Sequence, residues 1–264
     1  MSLVTELEAI AIDIAREAGA LAQRRRAEGV AIAATKSAIA DIVTEADREV
    51  EALIRRRLAE RRPGDGFLGE ESGAEVGTTD LTWVVDPIDG TVNYAYGIPA
   101  YAVSIAAVFG PPVAEEWDAA AAAIFSPASD ELFHAAAGHG AWLGDERIVV
   151  NAEPSAAGAL IATGFGYDPA THAGDLARVA RVMPIARDLR RAGAASLDFA
   201  YVAAGRLDGY FERGLQPWDH AAGALLVTEA GGLFGRIDGS APHRPLTVAA
   251  GPGLFDDLLA RALD

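Results

Sequence analysis

The sequence predicts a layered α/β or α+β protein, because helix-like and strand-like patterns are interleaved in both of its halves. Three observations carry this expectation. Residues 3–27 place apolar side chains at helical spacing and contain no proline. Short apolar runs at 82–86, 101–109, 120–125, 130–136 and 148–151 read as strands, with turn signals between several of them. After Glu153-Pro154 a strand at 159–163 is followed by helical segments near 170–183, 194–205 and 218–230.

Taken in order, the first helix ends in Arg24-Arg25-Arg26, which reads as a solvated basic end complementing the helix dipole. Val30 to Ala34 reads as a short strand, followed by Thr35-Lys36-Ser37. The segment Asp41 to Asp47 leads into a second helix over 45–61. Thr44 and Asp47 have the form of an N-terminal cap, and capping accounts for both before any catalytic reading. Pro63-Gly64-Asp65-Gly66 closes that helix; the brief apolar pair Phe67-Leu68 and a Gly69-Glu70-Glu71-Ser72 loop follow. The strand over 82–86 is expected to leave its sheet at Pro87, because proline lacks an amide donor and fixes φ. That puts Asp86 at the carboxyl end of the strand and Asp89 in the following turn. Gly90-Thr91 then starts a helix with free amides. A strand around 208–212, another near 246–250 and a helix from about 253 complete the chain. A soft boundary at 145–155 separates two halves, 1–150 and 151–264, expected to pack closely as one functional unit.

A chain of 264 residues suits one large domain or two such halves, and 51% hydrophobic with 23% charged residues is the composition of a folded core. The absence of Cys excludes disulfides, thiolate metal sites and a thiol nucleophile, and suits a cytoplasmic protein. No apolar run approaches a membrane span: the stretch from Ile98 to Val113 is broken by Pro99, Gly110, Pro111 and Pro112. The N-terminus has no basic region followed by an apolar core, so no signal peptide is expected. A net charge of −16 argues against general nucleic-acid binding. It also means that an anionic substrate would need local positive charge, which bound cations could supply.

The chemistry is expected at four acidic places. Glu70 and Glu71 sit in a glycine-bounded loop, Asp86 and Asp89 bracket Pro87-Ile88, and Asp219 follows Trp218 at the start of an apolar helix. Singly, each has a plain explanation as a solvated turn or a first-turn acid. Together they are harder to dismiss, since two like charges 4 Å apart cost about 4 kcal/mol at an effective dielectric of 20. A converging set implies a cation. All-oxygen ligands without Cys or clustered His favour Mg²⁺, with Mn²⁺ or Ca²⁺ open, over Zn²⁺. His134, His139, His172, His220 and His243 show no metal-binding spacing, and His220 is assigned no role. Neither a phosphate-loop motif nor a Gly-x-Ser-x-Gly elbow occurs.

The segment Asp86-Pro87-Ile88-Asp89-Gly90-Thr91-Val92-Asn93-Tyr94 resembles the first signature of the inositol monophosphatase family. Trp218-Asp219-His220-Ala221-Ala222-Gly223, with Thr228-Glu229-Ala230-Gly231-Gly232 after it, resembles the second. Lys36, the Asp41-Ile42-Val43-Thr44…Asp47 segment and Gly69-Glu70-Glu71-Ser72 fall in the family's order, and the similarity runs from about residue 5 to the C-terminus. The resemblance implies an α-β-α-β-α layered sandwich of the inositol monophosphatase/fructose bisphosphatase type. It also implies Mg²⁺-dependent hydrolysis of a phosphate monoester by activated water, sensitivity to Li⁺, and a homodimer. Carried over residue by residue, Glu70, Asp86 and the Ile88 carbonyl would hold a first Mg²⁺. Asp86 would bridge to a second completed by Asp89 and Asp219, and a weaker third would lie near Glu70; Mn²⁺ is the expected substitute. Thr91, hydrogen-bonded to Asp47, would help Glu70 deprotonate water, while the Gly90 and Thr91 amides hold phosphate. Asp89, the Ala195 amide, Glu212 and Asp219 would contact polyol or sugar hydroxyls, with Lys36 and Glu71 as accessory groups.

One departure stands out: Gly193-Ala194-Ala195 occupies the place where many relatives carry Gly-Ser/Thr-Ala. Val92-Asn93-Tyr94 favours the inositol-phosphate branch, and Glu212, six residues before Trp218, suits a polyol. Histidinol phosphate, fructose 1,6-bisphosphate and 3′-phosphoadenosine 5′-phosphate are the alternative substrates within the fold. An aspartyl-phosphate mechanism is disfavoured, because it wants two acids two residues apart, whereas Asp86 and Asp89 are three apart and separated by proline. A non-catalytic metal-binding regulator is the remaining reading.

Overall fold

Ser2 caps the first helix by accepting from the Thr5 amide at 3.4 Å, and α1 then runs over Leu3–Glu28. Leu7, Ile10, Ile14 and Ala18 return at three- and four-residue intervals and are fully buried. The computed structural model describes residues 2–29, 32–35, 42–113, 116–238 and 244–263. A small antiparallel pair, β1 (Ile32–Thr35) and β2 (Ile42–Thr44), precedes α2 (Glu45–Arg61). Val30, Lys36 and Asp41, which entered the sequence reading, lie outside the described residues.

The next eight strands form one sheet: β3 (Gly66–Gly69), β4 (Gly73–Glu75), β5 (Leu81–Asp89), β6 (Ala102–Phe109), β7 (Asp118–Ser126), β8 (Glu131–Ala136), β9 (Ala141–Leu143) and β10 (Glu146–Ile148). Their spatial order is β10-β9-β8-β7-β6-β5-β3-β4, with β3 and β5 parallel and the other pairs antiparallel. A short helix, α3 (Thr91–Tyr96), leaves the end of β5. The second sheet contains β11 (Ala159–Thr163), β12 (Ala186–Arg190), β13 (Gly209–Arg213), β14 (Leu233–Ile237) and β15 (Leu246–Ala250), in the order β12-β11-β13-β15-β14. Between these strands lie α4 (His172–Val182), α5 (Ala195–Ala203) and α6 (Pro217–Glu229), and α7 (Pro252–Ala262) follows β15.

Packing stacks these elements as helix, sheet, helix, sheet, helix. α1 and α2 cover one face of the first sheet, α5 and α6 lie between the two sheets, and α4 and α7 cover the far face of the second. Three apolar clusters fill the spaces: one under α1 and α2, one around α5 and α6, and one under α7. The central strand β5 is buried along its whole length, as expected for a strand covered on both faces. The mixed α/β architecture expected from the sequence is therefore the observed one. No helix among the described residues is long and apolar enough to cross a membrane.

Three expectations are corrected. Pro87 does not end β5; the strand continues to Asp89, and its pairing with β6 skips from Asp86–Ser104 to Asp89–Ala102. Three steps on one strand face two on the other, so a bulge absorbs the missing proline donor and Asp89 re-enters the ladder rather than sitting in a turn. The strand placed at 148–151 is β10, which ends at Ile148. The edge strands β12 and β14 were not anticipated. β12 is largely exposed and carries Arg187, Asp188 and Arg190, while β14 carries Gly235, so neither shows an apolar strand pattern.

Candidate active site

Sheet register brings the first pair of acids together. Gly69 of β3 lies opposite Val85 of the parallel β5, and the Glu70 amide donates to the Val85 carbonyl at 3.2 Å. The next residue on each strand is an acid, so Glu70 and Asp86 emerge side by side and share a side-chain hydrogen bond. The bulge then turns the backbone: the Ile88 amide, released from the ladder, donates to Asp86 Oδ1 at 3.1 Å. Gly90 follows in the left-handed region at φ 88°, and a Cβ there would lie 2.8 Å from the Ala100 carbonyl oxygen, so the turn into α3 requires glycine.

Two helices from the second half complete the enclosure. At the start of α5 the Ala195 amide donates to Asp89 Oδ1 at 3.2 Å, and the Ser196 amide donates to Oδ2 at 2.7 Å, joined there by the Ser196 hydroxyl. At the start of α6, Pro217 occupies the first turn and Asp219 accepts from the Gln216 amide at 2.6 Å through Oδ2. The first-turn capping explanation for Asp219 thus holds for one carboxylate oxygen and leaves the other for the cavity. On β13, Glu212 accepts from the Tyr210 hydroxyl at 2.6 Å and lies so tightly on Gly164 that a Cβ there would be 1.8 Å from its Oε2.

These groups line one cavity of about 450 Å³, a size suited to a small ligand. Glu70, Asp86, Ile88, Asp89, Gly90, Thr91, Ala195, Glu212 and Asp219, all expected at the site, lie on its surface. Asp47 does not line it but is buried behind Thr91, whose hydroxyl lies 3.2 Å from Asp47 Oδ1 and 3.1 Å from the Ile88 carbonyl. Asp47 also accepts from the Thr44 amide at 2.8 Å and from the Thr44 hydroxyl, so its capping and site readings are both satisfied. Glu71 does not line the cavity; its amide donates to Glu51 Oε2 at 2.9 Å. His220 is buried in α6 with no hydrogen-bond partner for Nε2 among the described residues, and burial lowers its pKa to about 4, so it is a neutral packed imidazole.

Burial and mutual repulsion dominate the electrostatics. Desolvation, then Glu70, Asp89 and Asp219, push the Asp86 pKa well above the usual carboxylate value. Asp219 is raised in the same way, first by desolvation and then by Asp89. Desolvation raises Asp89 too, against the hydrogen bonds from Ser196, Ala195 and Gly90 that favour its ionised form. Among the described residues no three His, Cys, Asp or Glu side chains are already closed into a metal-coordinating cluster. The donor set is nevertheless the one a hard divalent cation takes: anionic oxygens from Glu70, Asp86, Asp89 and Asp219 beside a backbone carbonyl.

Sequence reasoning placed free amides at the start of α3 but missed the other sources of positive potential. The helices α3, α5 and α6 all begin at the cavity, and their first-turn amides point positive dipole ends toward it. Arg191, Arg213 and Arg244 line the opposite side. Three polar residues at or behind the cavity were also not singled out: Ser196, Asp198, and the buried Asp175, which accepts from Arg178 and Arg244 at 3.1 Å. Helix starts could have been traced to one point only with the topology in hand. Ser196, by contrast, was visible as the hydroxyl nearest to the Gly193-Ala194-Ala195 departure.

Five stacked layers thus bring residues of both sheets and of the helices between them to one acid-lined cavity. The chain matches the inositol monophosphatase family over residues 3–264, and it belongs to that family. An inositol-1-monophosphatase of Mycobacterium bovis is 44% identical, covering 96% of this chain and 92% of the relative. Nus factor SuhB of Salmonella typhimurium is 37% identical over 97% and 95% of the two chains. The crystal structure of the extragenic suppressor protein suhB from Bartonella henselae superposes with a TM-score of 0.87 at 35% identity, covering 97% of this chain and 98% of that one. The family acts on small phosphorylated substrates and is generally metal-dependent.

Proposed function

We propose that the chain is a Mg²⁺-dependent phosphate monoester hydrolase whose main substrate is inositol 1-phosphate. The observation that carries this reading is the convergence of Glu70, Asp86, Asp89 and Asp219 on one cavity that Glu212 also lines. Glu70, Asp86, the Ile88 carbonyl, Asp89 and Asp219 would hold two to three Mg²⁺, with Mn²⁺ as a substitute. Bound there, the ions neutralise phosphate charge and make water a better nucleophile at neutral pH.

The remaining steps belong to the chain's own groups. The Thr91 hydroxyl, oriented by Asp47, positions the attacking water, and Glu70 takes its proton. The Gly90 and Thr91 amides at the start of α3 bind the phosphate oxygens. Glu212, Asp89, Asp219 and the Ala195 amide orient the hydroxyl-bearing part of the substrate. That amide already donates to Asp89, so Asp89 and substrate would share it. Because the cavity draws on β5 and on α5, β13 and α6, residues 1–150 and 151–264 act as one catalytic unit. A cytoplasmic homodimer inhibited by Li⁺ completes the proposal.

The deciding measurement is kcat/KM for phosphate release from inositol 1-phosphate, histidinol phosphate, fructose 1,6-bisphosphate and 3′-phosphoadenosine 5′-phosphate, with Mg²⁺ and with chelator. Inositol 1-phosphate is expected to lead, and chelator to abolish turnover. A higher value for another ester would replace the substrate. Inactivity on all four with Mg²⁺ present would replace the enzyme reading with a metal-binding scaffold.

A further inference from the structure

Asp198 is a buried acid that neither the fold nor the catalytic proposal uses. It lies in the first turn of α5, is only 2% exposed and lines the cavity. Its Oδ1 is buried and has no hydrogen-bond partner among the described residues. Asp175, buried to a similar degree, shows what a structural acid looks like here: the Gly166 amide, Arg178 and Arg244 all donate to it. Asp198 has no such set. A first-turn acid complements the helix dipole equally well when exposed, so the dipole does not explain burial against the cavity. A buried polar atom without a partner destabilises the folded chain, and such atoms persist where a ligand or water supplies the missing bond.

The surroundings indicate which ligand. Asp198 is next to Glu212 electrostatically: desolvation, then Glu212 and Asp89, raise its pKa, while Arg191 lowers it. Glu212 lines the same cavity with Oε2 engaged by Tyr210, and Arg191 lines it with an exposed guanidinium. Two carboxyl groups and one cation make a nearly charge-balanced cradle that can exchange hydrogen bonds with neighbouring hydroxyls. The same cradle offers nothing to an apolar leaving group.

We propose that Asp198 is a second substrate-reading carboxyl, paired with Glu212 to recognise adjacent hydroxyl groups of a phosphorylated polyol. The inference rests on the phosphatase reading above and adds a specificity residue to it. The test compares Asp198→Ala and Asp198→Asn with the parent enzyme on inositol 1-phosphate and on 4-nitrophenyl phosphate, an ester without polyol hydroxyls. For Asp198→Ala, kcat/KM on inositol 1-phosphate should fall about tenfold, mainly through KM, with less than about a twofold change on the aryl ester. Asp198→Asn, which preserves shape and one acceptor, should lie between. If the alanine variant fails to fold, the asparagine variant alone decides, and it must change the ratio of the two kcat/KM values by at least about threefold. An unchanged ratio, whether through equal losses or none, overturns the proposal and assigns Asp198 to structure or to a bound water. A parent enzyme inactive on both esters overturns the phosphatase reading, and this inference with it.

Discussion

The wall of the cavity built by β5 and the turn after it takes Asp86, Ile88, Asp89, Gly90 and Thr91 from six consecutive residues. The opposite wall gathers Thr163, Arg191, Asp198, Glu212 and Arg244 from five separate segments of the second half. The first wall is rigid by construction. A buried strand, a bulge and a left-handed glycine leave each of its groups one position. The second depends on five tertiary placements brought together only by the fold. The contrast suggests a division of labour in which the contiguous wall sets the reaction and the dispersed wall selects the molecule that undergoes it.

The sharpest way to break that division is Asp86→Asn. Removing a charge at the crowded point of the contiguous wall should lower kcat on the order of 10³-fold. The same change removes a buried acid that its neighbours repel, so the metal-free variant should melt above the metal-free parent. Phosphate release and thermal melts in chelator check both halves. Robust turnover by this variant would remove the proposed role of Asp86.

A second test uses pH on the metal-free protein. Burial raises Asp47 to about 6 and Glu212 to about 7, from ordinary values of 3.8 and 4.5. The folded chain therefore keeps protons that the unfolded chain has released. The stability these two groups contribute is greatest below about pH 4, falls as pH rises through their folded values, and is lost above about pH 7. The change should be on the order of 6 kcal/mol in urea unfolding with chelator present, and millimolar Mg²⁺ should offset part of it by favouring the ionised carboxylates. Stability that is flat or rising over this range without metal would contradict the burial of these acids.

The same contrast explains what could be read in advance. The contiguous wall was legible because its chemistry sits in one stretch of chain, where a pair of acids around a proline announces an unusual backbone. Even so, the outcome of Pro87 was misjudged: from the residues alone a proline predicts a strand end, and only the β6 partner reveals a bulge that re-pairs Asp89 with Ala102. Helices α2 and α6 were legible through Thr44 and Asp47 and through Asp219, since capping and first-turn acids are local chemistry. The dispersed wall was legible only at Glu212 and Ala195, and through family resemblance. Asp198 looks like any first-turn acid until its burial is known, and Arg191 looks like any surface cation on the polar strand edge.

Glu212→Gln sharpens the comparison from the dispersed side. The amide keeps the shape that packs on Gly164 but loses the charge and one strong acceptor. KM for inositol 1-phosphate should rise about tenfold with kcat changed by less than about threefold. A loss confined to kcat would mean that Glu212 serves the reaction, and the division between walls would fail there.

The smallest expected effect falls on the seam between the walls. Ser196 belongs to the second half by sequence, yet its amide and hydroxyl both donate to Asp89 of the first. It lies two residues beyond Ala194, and its hydroxyl is turned toward an acid of the contiguous wall. Ser196→Ala removes one of several donors; the Ala195, Ser196 and Gly90 amides still favour the ionised Asp89. The Mg²⁺ concentration giving half-maximal rate should therefore rise only about threefold, with kcat at saturating Mg²⁺ unchanged. If KM for the polyol rises instead while the Mg²⁺ dependence stays fixed, the Ser196 hydroxyl faces substrate. The dispersed wall would then reach across the seam to a group that geometry alone gives to the other side.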